Sequence, residues 1–226
     1  MTAPGFFVTG TDTGVGKTVA ACGLIRALRS VGIDVGAMKA IETGVGPAGP
    51  QDAMALRAAA ADSDPLEDVC PLRFALPAAP EVAATHEGRK VDLEQIDDAF
   101  ARIAARHAAV IVEGAGGLLV PTQKGANMAD LARRLRLPLV VVARAALGTI
   151  NHTLLTLEAA RARGLDIAGV VISHAEGTLS SADEANLALL RQDLADQLIG
   201  EIPHLRSPRQ VEPSLFRLEA LLRRLR

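Results

Sequence analysis

The chain contains no tryptophan and no tyrosine, and aromatic residues make up only 2% of its 226 residues. That scarcity argues against a surface that stacks the bases of single-stranded nucleic acid, because such surfaces need rings. A core must instead be built from Ala, Leu, Val and Ile, and 49% hydrophobic residues suffice for a sizeable one. Cysteine is scarce too. Cys22 and Cys70 suggest neither a disulfide framework nor a zinc cluster. Cys22 falls on the apolar side of a predicted helix and reads as core. The formal net charge is −2 and no long basic tract occurs, so an electrostatic nucleic-acid surface has little support. The longest apolar run, Leu137 to Ile150, is interrupted by Pro138 and Arg144 and is too short to span a bilayer. The first residues lack the basic segment and cleavage site of a signal peptide. The expectation is a soluble cytoplasmic protein with neither nucleic acid nor membrane as a partner. The length suits one α/β domain over residues 1–226 better than two.

What is present is concentrated near the start. The stretch Phe6 to Thr18 reads as a short apolar strand, then a glycine-rich turn, then a helix from Lys17 to Ser30. Gly10, Gly16, Lys17 and Thr18 complete the pattern G-x-x-x-x-G-K-[ST]. Glycines let the backbone curl so that several N–H groups point at phosphate oxygens. The helix that follows offers its positive end to the same anion. A lysine at position 17 reaches the outer phosphates, and the Thr18 hydroxyl can ligate Mg²⁺. The segment is therefore a P-loop, expected to bind a nucleotide.

Further along, Val35 to Ile41 reads as a second strand and 44–50 as a Gly/Pro loop. A helix is predicted over 53–61 with Asp52 at its start. Pro65 to Pro80 reads as irregular, and Val91 to Arg106 as a helix capped by Asp92. Ala108 to Val112 is an apolar run suited to a central parallel strand, ending in Glu113-Gly114-Ala115-Gly116-Gly117. Helix over 127–135, strand 139–143, a loop 147–152 leading into a helix to Arg163, strand 167–172, helix 180–196 and strand 198–202 follow. A C-terminal helix is predicted from Pro213 to the end. Strands alternating with helices predict a mainly parallel sheet flanked by helices on both faces, a three-layer P-loop NTPase-like sandwich. In such sheets ligands bind beyond the carboxyl ends of the strands. Gly10 to Thr18, Lys39 to Gly44, Glu113 to Gly117, Arg144 to Asn151 and Ser173-His174 should therefore share one edge.

Each candidate on that edge has a plainer alternative. Glu113, at the end of an apolar strand, is placed to organise Mg²⁺, or is a solvated strand-end carboxylate. Lys39 can neutralise a transferring phosphoryl group, or is an exposed lysine on an edge strand. Asp52 caps a helix or completes a magnesium shell. Glu42 is a loop acid without an evident role. Asn151 caps a helix, or its helix start binds an anionic substrate group. His152 and His174 read as packing or hydrogen-bonding residues.

At these residues the chain resembles the dethiobiotin synthetase family over most of its length. The resemblance rests on Gly10 to Thr18, Lys39 to Gly44, Asp52 to Leu56, Val112 to Gly117, Leu147 to His152, and Gly200-Glu201-Ile202-Pro203. It implies a homodimeric enzyme that closes the ureido ring of dethiobiotin from 7,8-diaminononanoate, CO₂ and ATP with Mg²⁺. Its reaction proceeds through a carbamate and a carbamic–phosphoric anhydride. It implies that Lys17 and Lys39 stabilise charge on phosphoryl group and carbamate, and that Thr18, Asp52 and Glu113 hold Mg²⁺. Thr13, Gly14, Val15, Gly16, Gly114, Ala115, Gly116, Ser173, His174, Ile202 and Pro203 would surround ATP. Thr11 and Thr43 would contact the carbamate end of the substrate. Gly148, Thr149 and Asn151 of the other subunit would hold the distal carboxylate.

Two departures from the family pattern stand out. Ala40 follows Lys39 where the family usually has proline, which removes stiffness from that loop. Ser173-His174 replaces a frequent Asn-Asp near the nucleobase. A serine hydroxyl reads a base edge less well than an amide does, so relaxed base specificity, with CTP or GTP partly replacing ATP, is expected. Two other functions fit the fold class. A partitioning-type ATPase switch would carry an additional lysine where Asp12 stands, and would use a basic surface or membrane-binding tail. Only the arginines Arg217, Arg223, Arg224 and Arg226 hint at one. A related ATP-dependent amidoligase would draw on a glutaminase, and neither cysteine lies in a nucleophile-like turn, while a stand-alone synthetase using free ammonia is compatible with the composition.

Overall fold

A computed structural model describes residues 4–61, 64–175 and 177–225. Its centre is a six-stranded sheet. The strands are β1 (Gly5–Gly10), β2 (Val35–Lys39), β5 (Ala109–Gly117), β8 (Leu139–Arg144), β9 (Ile167–Ser173) and β10 (Leu198–Ile202). They run in the order β10-β9-β8-β1-β5-β2, with every pairing parallel. Side chains alternate between the two faces, as the strand period of two requires. Phe6, Val8, Ala37, Ile111, Val140 and Val142 enter one core with the helices α1 (Lys17–Arg29) and α2 (Gln51–Ala60). Phe7, Met38, Val110, Val112 and Val141 enter the other. That second core is closed by α4 (Pro80–His86), α5 (Leu93–Arg106), α6 (Met128–Leu135), α7 (Thr149–Ala162) and α8 (Ser181–Leu194). Burial on both faces is why the strands read as unbroken apolar runs. All five phenylalanines are buried, and so is Cys22, whose thiol is pushed up to about 12, chiefly by burial. This is the expected three-layer sandwich.

Local rules account for several helix starts. Asp92 accepts hydrogen bonds from the Glu94 and Gln95 N–H groups at 2.9 and 3.1 Å. Asn127 and Ser180 form reciprocal capping boxes with Asp130 and Asp183.

Four expectations need correction. The second strand divides at Ala40: β2 ends at Lys39, and β3 (Ile41–Thr43) leaves the main sheet to pair with β4 (Leu72–Phe74). The stretch 65–80 is thus not irregular throughout, since it holds β4 and the one-turn helix α3 (Leu66–Val69). Strand β5 continues through Glu113 to Gly117, with a register shift that lets Gly117 pair with Gly10. The segment after Pro213 is not one helix. A 3₁₀ turn at Pro213–Leu215 and a short α9 (Leu218–Leu222) replace it, and Arg226 lies outside the described residues. Its residues are drawn instead to the sheet edge. Phe216 is buried and bridges Gly200, and the Arg217 N–H donates to the Ile199 carbonyl at 2.7 Å. Among the described residues no helix is long and apolar enough to cross a membrane.

Candidate active site

The turn after β1 brings the backbone to Gly16, which caps α1 with φ 91°, in the left-handed region that favours glycine. No side chain caps this helix and no acid lies in its first turn. Its N–H groups are thus offered to an anion. Space is equally restrictive: a Cβ on Gly16 would stand 2.3 Å from Ser173 Oγ. Lys17 is buried, and its ammonium folds back to the Asp12 carbonyl at 2.9 Å. Burial pulls its pKa below the ordinary lysine value.

Beside the loop lies a cavity of about 600 Å³. Thr13, Gly14, Gly16, Lys17 and Thr18 line it from the P-loop, and Ala115 and Gly116 from the end of β5. At its floor four groups meet. Lys39 and Glu113 are in register on β2 and β5, so their side chains emerge on one face. Lys39 Nζ is 2.6 Å from Glu113 Oε1 and 2.8 Å from Asp52 Oδ2. It also lies 3.3 Å from the Gly114 carbonyl. The Thr18 hydroxyl donates to the same Glu113 Oε1 at 3.0 Å. Burial disfavours the charge on Lys39, but Glu113 and Asp52 outweigh it and hold the pKa above the ordinary value. For Asp52 burial is likewise outweighed, by Lys39 and Thr18, and its carboxyl is held below the usual range. The second oxygen of Glu113, Oε2, is buried without a hydrogen-bond partner among the described residues, an acceptor that a cation would satisfy.

The plainer alternatives for Lys39 and Glu113 do not hold. Lys39 is 4% exposed although β2 is an edge strand, and Glu113 is fully buried. Nor does Asp52 cap α2. Pro50 occupies the cap position, and Asp52 lies in the first turn facing Lys39. The capping is done by Glu42, the loop acid without an evident role. Its two oxygens accept the Asp52 and Ala53 N–H groups at 3.1 and 3.0 Å. The N–H that Ala40 has and proline would lack donates to the Glu113 carbonyl at 3.2 Å, so a hydrogen bond stands where the family's proline would supply ring stiffness.

The other candidates are more scattered. Thr43 lines the cavity, together with Gln51, Ala55 and Pro208, which the sequence reading missed. Val15 is fully buried behind the loop. Thr11 opens instead on a neighbouring hollow of about 390 Å³ with Leu119 and Leu155. Ser173 abuts Gly16, but Ser173, His174, Ile202 and Pro203 do not line the cavity. His174 Nε2 is 2.7 Å from Glu201 Oε1, and Arg191 donates to both Glu201 oxygens at 2.7 and 2.9 Å. Gly148 caps α7 with φ 88°, followed by the buried Thr149 and the exposed Asn151. None of these three, nor His152, lines the cavity.

Residues 4–210 match the family model described as AAA domain. Among solved structures, the signal recognition particle receptor FtsY from Elizabethkingia anophelis superposes with a TM-score of 0.53 at 14% identity. The match covers 99% of this chain, which spans 65% of the receptor's length. The MinC:MinD cell division protein complex from Aquifex aeolicus gives 0.51 at 15% identity, covering 94% of this chain and 87% of the matched one. These likenesses concern the fold alone. Sequence relatives go further. An ATP-dependent dethiobiotin synthetase BioD from Anaeromyxobacter dehalogenans is 56% identical over 170 residues, 75% of this chain and 76% of the relative. BioD proteins from Anaeromyxobacter sp. (strain Fw109-5) and Aromatoleum aromaticum are 48% and 40% identical, covering 89% and 95% of this chain and 91% and 98% of theirs. With that identity across most of both partners, this chain belongs to the ATP-dependent dethiobiotin synthetase family.

Proposed function

We propose that the chain, acting as one P-loop α/β domain in the cytoplasm, closes the ureido ring of dethiobiotin from 7,8-diaminononanoate, CO₂ and ATP. The observation that carries this reading is the buried Lys39 ammonium at 2.6 Å from Glu113 and 2.8 Å from Asp52, on the floor of the P-loop cavity. One substrate amine adds through its lone pair to CO₂ and loses a proton, giving a carbamate. A carbamate oxygen then attacks the γ-phosphorus and ADP departs. The second amine attacks the carbonyl carbon of the mixed anhydride, loses a proton, and phosphate leaves as the ring closes.

The protein's part is positioning and charge. The first turn of α1 and the P-loop from Thr13 to Thr18 cradle the phosphates. Lys17 and Lys39 face the oxygens on which negative charge accumulates. Thr18, Asp52 and Glu113 would hold Mg²⁺, and the unpartnered Glu113 Oε2 fits that role. When bound, the ion neutralises phosphate charge. Thr43 and Thr11 would receive the carbamate end, Gly114 to Gly116 the phosphates, and Ser173, His174, Ile202 and Pro203 the base. The distal carboxylate would reach Gly148, Thr149 and Asn151 of a second copy. Exposed Leu119 and Leu155 support that pairing, since they leave apolar surface at the hollow where Thr11 opens.

Phosphate release from MgATP with bicarbonate tests the reading. Stimulation that needs both bicarbonate and the diamine, with dethiobiotin as product, is expected. Slow hydrolysis indifferent to the diamine would overturn it in favour of an ATPase switch.

A further inference from the structure

Asp52 poses a question of support. Its carboxylate is 41% exposed, so packing does not fix it, yet its partner Lys39 is buried at the floor of the cavity. The fixed point is its backbone. A helix start leaves several N–H groups without intrahelical partners. In α2 the cap residue is Pro50, which brings no side-chain acceptor. Two orphan donors, the N–H groups of Asp52 and Ala53, are met by Oε1 and Oε2 of Glu42 at 3.1 and 3.0 Å. Glu42 is itself 6% exposed and stands on β3, two residues beyond Lys39's neighbour Ala40. Its charge also favours the positive end of α2.

We infer that Glu42 is a positioning residue: it clamps the first turn of α2 so that Asp52 presents its carboxylate beside Glu113. This rests on the reading of Asp52 as a Mg²⁺ ligand. Glu42 lines the same cavity, but its two oxygens are turned to the N–H groups of Asp52 and Ala53. Its action is indirect. With the clamp removed, the buried Ala53 N–H and the half-buried Asp52 N–H lose their acceptors, the turn relaxes, and the distance between Asp52 and Glu113 is no longer set. Outer partners that orient metal ligands are worth about 10- to 100-fold in metal affinity.

The test is Mn²⁺ binding to the ADP-loaded protein by electron paramagnetic resonance, with ADP affinity measured separately without metal. Glu42→Ala should weaken Mn²⁺ by about tenfold or more, while metal-free ADP affinity stays within about twofold. Glu42→Gln keeps one acceptor and should fall between it and the unmodified protein, and it covers the case in which Glu42→Ala does not fold. Asp52→Asn serves as the reference. Loss in Asp52→Asn without loss in either Glu42 variant overturns the positioning role alone. Unchanged Mn²⁺ binding in Asp52→Asn overturns the reading of Asp52, and the role of Glu42 with it. A parallel fall in ADP affinity in the Glu42 variants would mark general disruption and also overturn the inference.

Discussion

Lys39 and Glu113 are 74 residues apart in sequence and 2.6 Å apart in space, held there by the register of two neighbouring parallel strands. Lys39→Ala should lower kcat by about 100-fold or more, in line with loss of a preorganised charge at a reacting oxygen. The nucleotide KM should change by less than about threefold, because the proposed contact strengthens only as phosphoryl transfer proceeds. Steady-state kinetics with saturating diamine and bicarbonate read both. Equal losses in kcat and in nucleotide binding would contradict the role.

Gly16→Ala should be damaging through two independent causes. The left-handed φ of 91° costs a non-glycine residue about 1–2 kcal/mol. The new methyl also drives into Ser173 Oγ, which must shift. A fall in the thermal midpoint together with lost ADP binding is expected. The same substitution at Gly32, with φ 85° but no atom within 4 Å of the added Cβ, should lower stability and leave ADP binding intact.

A pH effect should appear outside the cavity lining. Asp68 is buried, and burial disfavours its charge. Hydrogen bonds from Arg106 and Arg102, at 2.8 and 2.7 Å, outweigh that and hold its carboxyl below the ordinary range. A depressed folded-state pKa gives stability that is complete above the unfolded value of about 3.9 and is lost as pH falls through the folded one. Asp68→Asn should therefore lower the urea midpoint most at pH 6–7, and the gap should close on acidification below about pH 4. Urea unfolding at several pH values checks this, and a gap that stays constant would rule it out.

The proposed base site should be permissive. Ser173 lies against Gly16, and the His174 ring is engaged by Glu201, so neither presents an amide to a base edge. A site that depends on such a hydrogen bond rejects the wrong ligand by about 10⁴-fold, whereas one without it discriminates by only about 10–200-fold. CTP or GTP should support turnover within about 100-fold of ATP at equal concentration. A preference for ATP of about 10⁴ would sink the idea.

The sequence was legible where the physics is local. The P-loop, the strand before it and the helix after it follow from a dozen contiguous residues, and the Asp92 cap follows from two. The convergence of Lys39 and Glu113 could be anticipated from strand ends, since parallel strands deliver their carboxyl termini to one edge. The capping of α2 could not. Asp52 has the residue type and place of a cap, but the acceptor comes from Glu42 on another element, ten residues back. Periodicity carries no trace of such a contact. The stretch after Pro213 misled for a related reason. Its leucines and arginines suit a helix, yet Phe216 gains more by burial against β10 and α1 than by continuing one. Pro208 reached the cavity wall with no local signal at all.

That same stretch protects the protein from its neighbours. β10 is the outermost strand of a long parallel sheet, and an uncovered outer strand is a template for pairing with other chains. Here the outward carbonyl of Ile199 is taken by the Arg217 N–H, and Gly200 is bridged by Phe216. A few steps back, the Pro208 carbonyl is held by Arg26 Nη1 at 2.6 Å. One short irregular segment therefore both walls the nucleotide cavity and shields the sheet from edge-to-edge aggregation. Substitutions that loosen it should show first as poor solubility.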